Sequence, residues 1–72
     1  MKFEELSSII SSHMALEKKI QMSEHLSSDI GMCSFDMMML IVEIENACGY
    51  EINAELIKKD MTVEELLNIV NM

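Results

Sequence analysis

Proline and tryptophan are absent from this chain of 72 residues, glycine occurs only twice, and only five residues are basic. With no proline and two glycines, little in the chain breaks regular backbone. Nine methionines and a generous share of leucine point the same way, so the composition reads as all-helical. The scarcity of bases against thirteen acids leaves a net charge of −8. That excludes nucleic acid, whose binding requires Lys and Arg to displace counterions, and argues against anionic membrane surfaces. It suits a partner with a basic patch. No long apolar run is present either. The longest, Met37 to Val42, is far too short to span a bilayer. The opening MKFEELSS turns acidic at once and has no secretory pattern, so a soluble cytoplasmic protein is expected. Cys33 and Cys48 lack CxxC spacing and fall in one helical segment, where a mutual disulfide is not expected; two reduced thiols are.

What is present is enough for one small core. Half the residues are hydrophobic, which argues against disorder. A single domain over residues 1–72 is expected, burying about 60% of the surface its unfolded chain would expose. It leaves no room for a cleft against a second domain.

Phe3, Leu6, Ile9, Ile10 and His13 recur at helical spacing, predicting a first helix from about Lys2 to Met14. Serines 7, 8, 11 and 12 fill its outer side. Residues 15–33 have no sustained period, and a long structured loop is expected there, pinned by Leu16, Ile20, Met22, Leu26 and Ile30. Loops of that length are uncommon unless functional. The second helix is expected to open at Ser34, a preferred N-cap, with Asp36 in its first turn, and to stop near Cys48 before Gly49. A short helix is expected over Ala54–Lys59, capped by Asn53. Thr62 and Glu65 form a capping-box signature for a last helix from Val63 to about Asn71, with Val63, Leu66, Leu67 and Val70 as its apolar face.

On a wheel of about 100° per residue, Met37, Leu40, Ile41, Ile44 and Cys48 share one side of the second helix. Phe35, Met38, Met39 and Val42 fall near the opposite side, flanked by Asp36, Glu43 and Glu45. One small core cannot bury a helix on both faces. Either the long loop covers the second stripe, or it is an exposed docking face, for which flexible, polarisable methionine is well suited.

The run Asp29-Ile30-Gly31-Met32-Cys33-Ser34-Phe35-Asp36 resembles the D-L-G-x-D-S-L-D motif of acyl and peptidyl carrier proteins. Leu40, Ile44, Glu45 and Ile52 follow at positions matching that family's helix-two leucines, a glutamate and the isoleucine closing the next loop. Met61-Thr62-Val63 resembles its entry to the last helix. The resemblance spans roughly residues 3 to 70. It implies an all-α, small four-helix bundle of the acyl-carrier-protein type, with three longer helices, one short helix and a long loop between helices one and two. It also implies a 4′-phosphopantetheine arm, donated from coenzyme A and attached to Ser34. Asp29, Gly31, Cys33, Phe35 and Asp36 would be the flanking motif, and Phe35, Met38, Met39, Val42, Glu45 and Ile52 the partner-binding residues. The arm would hold an acyl or aminoacyl group as a thioester, and the chain, expected as a monomer, would be no enzyme itself. Implied partners are a phosphopantetheinyl transferase, a loading enzyme and downstream synthases. A helix N-terminus is also a physically sound place for a phosphodiester.

The departures are informative. Cys33 replaces the family's aspartate, Phe35 its leucine as in D-alanyl carriers, and Met39 its helix-two glutamate; Asn46 replaces a neighbouring acid. These changes point from fatty acid synthesis to a dedicated carrier in nonribosomal peptide, polyketide or aminoacyl chemistry. The alternative is an unmodified four-helix scaffold docking through its helix-two apolar face. A nucleophilic role for Cys33 has no neighbouring base in the sequence. No metal is expected, since neither zinc-ligand spacing nor a calcium loop is present.

Overall fold

In a computed structural model describing all 72 residues, three α-helices and one 3-10 turn surround a core of fifteen buried side chains, all of them apolar. There are no strands, and the chain is all-α. No helix is long and apolar enough to cross a membrane.

Helix α1 spans Phe3–Met14. Leu6 and Ile10, one turn apart, are fully buried, and Ala15 closes the helix in the left-handed conformation, φ 53°. Helix α2 spans Ser34–Cys48 and buries Met37, Leu40 and Ile44. Gly49 ends it at φ 84°, returning its N–H to the Glu45 carbonyl, a conformation that costs glycine little. Helix α3 spans Val63–Val70. The expected capping box is formed: the Thr62 hydroxyl accepts the Glu65 N–H at 3.1 Å and the Glu65 carboxylate accepts the Thr62 N–H at 3.0 Å.

Residues 15–33 form the expected loop, and Ile20, Leu26, Ile30 and Met32 are buried in the core. Met22 does not pin it through its side chain, which is 37% exposed. Its backbone carbonyl serves instead, accepting the Glu64 N–H, while the Glu24 carbonyl accepts that of Val63. The loop thus satisfies two of the free N–H groups that every helix start leaves open. His25 and Thr62 form an isolated antiparallel bridge beside these contacts.

Two local expectations need correction. Cys33, rather than Ser34, is the N-cap of α2, with extended backbone at φ −95°, ψ 178°. Asp36 reaches back from the first turn to accept the Cys33 N–H at 3.1 Å, which leaves Ser34 as the first helical residue. The helix expected over Ala54–Lys59 is a single 3-10 turn, Ala54–Leu56, although Asn53 does cap it. Ile57 is extended, φ −80°, ψ 120°, and packs against the core. Beyond it, the Asp60 carboxylate accepts the Ser27 and Ser28 N–H groups at 3.0 and 3.1 Å. A continued helix would give up both attachments.

Candidate functional site

The site is assembled where the long loop meets α2. Gly31 turns the chain at φ 91°. A Cβ there would meet nothing within 4 Å, so glycine is required by the backbone angle and not by crowding. Next to it, buried Met32 anchors the turn in the core, and Cys33 and Ser34 emerge into solvent. The Asp36 carboxylate ties this corner together. It accepts the Cys33 N–H and thiol, the latter at 3.3 Å, and lies 3.4 Å from Nε2 of His13 on α1. The Cys33 N–H, the thiol and then His13 hold the Asp36 carboxyl below its ordinary range. The other His13 nitrogen faces Glu43 at 3.3 Å. Sequence reasoning treated His13 only as part of an apolar face. The acids it meets lie 23 and 30 residues away, with no local signal to reveal them.

Asp29 has a different task. Its carboxylate accepts the His25 N–H at 2.7 Å and faces the His25 ring at 3.3 Å, closing the turn before Gly31. These contacts hold its carboxyl below the ordinary range. Asp29 and Gly31 therefore shape the approach to Ser34.

A cavity of about 440 Å³ lies beside Ser34. Met32, Met37 and Ile57 give it an apolar lining, Ser27, Cys33 and Ser34 contribute polar walls, and Lys58 and Lys59 complete it from the segment before α3. A second groove of about 330 Å³ shares Met37 and Ile57 and is otherwise lined by Met38, Ile41 and Ala54. A polar mouth at the serine thus leads to a wholly apolar trough along α2. An exposed serine stands beside a cavity with cationic and apolar walls. Lys58 and Lys59 fall at the end of the segment expected as a short helix, and no local signal in the sequence marks them as neighbours of Ser34.

The second apolar stripe of α2 is not covered by the loop. Phe35 is 67% exposed, Met38 69%, Met39 41% and Val42 50%. Glu45 and Ile52, also expected to meet partners, are placed differently. Ile52 is buried, and the Glu45 carboxylate accepts its N–H at 2.8 Å, so this pair fastens the chain leaving α2 to the core. No cluster of potential metal ligands occurs. No protein-family model and no curated protein matches the chain.

Proposed function

We propose that this chain is a carrier of the acyl or peptidyl carrier type, whose Ser34 accepts a 4′-phosphopantetheine arm and whose α2 face presents the tethered group to other enzymes. The observation that carries the reading is the setting of Ser34. It is exposed, it opens α2 immediately after the turn that Gly31 permits, and it stands in the Asp29–Asp36 motif frame beside a cavity with two lysines. In that frame the 3-10 turn Ala54–Leu56 is the reduced third helix of a four-helix carrier fold.

The modification would form a bond from Ser34 Oγ to the phosphorus nearest the pantetheine of coenzyme A. The P–O bond to the 3′,5′-ADP portion breaks, and the serine proton goes to a base of the transferase. When attached, the arm supplies a terminal thiol for thioester formation. The chain's own contributions are mechanical: Asp36 fixes the helix start, Gly31 and Asp29 set the turn, and Met32 keeps it seated. Tethering raises the local concentration of a substrate for successive enzymes. The partners would be a transferase, a loading enzyme and downstream synthases of a specialised pathway, meeting a monomeric carrier through Phe35, Met38, Met39 and Val42.

Intact mass after co-expression with a phosphopantetheinyl transferase tests this. Wild type should gain the mass of the arm, and Ser34→Ala should not, while keeping its helical circular dichroism. A Ser34→Ala chain that is still modified would refute the assignment. A wild-type chain that stays unmodified favours a second reading, which the exposed stripe supports: an unmodified scaffold docking a partner through α2.

A further inference from the structure

The charge lining the cavity beside Ser34 runs against the acidic character of the chain. The chain has five bases, and one of them, Lys18, is held by Glu24 at 2.8 Å. From Asp29 to Leu56 there are six acids and no base. Yet the cavity beside Ser34 includes Lys58 and Lys59 and no carboxylate. Every other groove with a charged wall contains at least one glutamate. The backbone that carries the lysines is also anchored on both sides. Ile57 before them packs on the core, Met61 after them is buried, and Asp60 grips the Ser27 and Ser28 amides of the loop leading to Ser34. Those amides hold the Asp60 carboxyl below its ordinary range, so the grip persists at neutral pH. Lys58 has only a loose contact with Glu65, at 4.0 Å with 75% of its side chain exposed. Such a pair contributes little and is readily exchanged for a stronger anion.

We infer that Lys58 and Lys59 form the seat of the phosphodiester anion on Ser34, holding the root of the arm over this cavity and away from the Phe35/Met38 stripe. The inference rests on the carrier reading above and adds residues that the Asp29–Asp36 motif does not contain. A compact ammonium group suits a phosphate as a point charge. Placed by Asp60, the pair sets the direction in which the arm leaves the protein.

The test compares unmodified and modified chains by NMR, with intact mass reporting modification. Attachment should shift the side-chain ammonium signals of Lys58 and Lys59 and the amide signals of residues 57–59. High salt should shrink those shifts, because it screens exposed charge. In Lys58→Gln/Lys59→Gln the shifts at Ile57 should be lost and the phosphorus resonance should move. Lys18→Gln/Lys19→Gln should leave both unchanged. A modified chain whose shifts are confined to residues 29–38, with the lysine signals unmoved, overturns the seat while leaving the carrier reading intact. A chain that gains no mass overturns both. The comparison within wild type needs no variant to fold.

Discussion

Replacing Leu26 by alanine tests whether the long loop is structural or merely a connector. Leu26 is fully buried, and its backbone is bonded on both sides. Its N–H donates to the Met61 carbonyl at 2.8 Å, and its carbonyl accepts the Met32 N–H at 2.9 Å. Alanine can keep both bonds, so the loss is one of packing. Three carbons leave the core, worth about 2.4 kcal/mol at about 0.8 kcal/mol each. The unfilled space adds to this, giving about 3 kcal/mol within the usual range of about 2–5. A chain of this size has roughly 4–11 kcal/mol in total at the typical stability per residue. The melting temperature should therefore fall by about 12–24 °C, at about 4–8 °C per kcal/mol for domains of this length. Two probes should follow the same transition: helical circular dichroism, and Tyr50, whose hydroxyl donates to the Val70 carbonyl at the end of α3. Coincidence is expected because the loop satisfies the first amides of α3 and cannot detach without freeing it. A Leu26→Ala chain melting within a few degrees of wild type, or one whose probes separate, would refute this account of the loop.

Gly31→Ala should destabilise the chain by about 1–2 kcal/mol through backbone strain alone, and Gly31→Asn by less; equal melting temperatures for Gly31, Ala and Asn would contradict the assigned turn. The carboxyls of Glu24, Asp29, Asp36, Asp60 and Glu65 all lie below their ordinary range in the folded chain. Their stabilisation is complete above the ordinary carboxylate pKa of about 4 and is lost as the pH falls through the depressed folded values. Melting temperature should therefore drop in acid below about pH 4, and Asp60→Asn should lower the neutral plateau while making the acid slope shallower; an unchanged slope would count against the Asp60 contacts. If the exposed α2 stripe docks a partner enzyme, as proposed, association should slow with salt while dissociation changes little. Met39→Glu should speed dissociation; surface plasmon resonance showing equal or tighter binding would rule Met39 out of the contact.

The features legible in the sequence are those set by near neighbours. Thr62 and Glu65 stand at capping-box spacing, Gly49 follows the last turn of α2, and the Met37/Leu40/Ile44 stripe obeys helical period, so each follows from local stereochemistry. The opposite stripe could be located but its exposure could not, because that depended on where the loop runs. What escaped reading is what depends on distant segments. Asp60 meets Ser27 and Ser28 across 33 and 32 residues, and that contact, with the burial of Ile57, converts an expected helix into one turn. Methionine was the other obstacle. Its unbranched thioether packs or protrudes with little preference, so Met32 and Met61 are buried while Met22 and Met38 are not. At Ser34 the start of α2 was legible and the capping residue was not, because the neighbouring Cys33 takes the cap with the help of Asp36.

The uneven burial of the nine methionines also decides how the protein meets an oxidant. Peroxide converts a thioether to a polar sulfoxide, and it does so fastest where solvent reaches the sulfur. Met32, Met37 and Met61 are shielded inside the core, whereas Met38 and Met39 stand open on α2. Mild oxidation should therefore turn the apolar stripe of α2 polar first, while the thioethers packed in the core are spared.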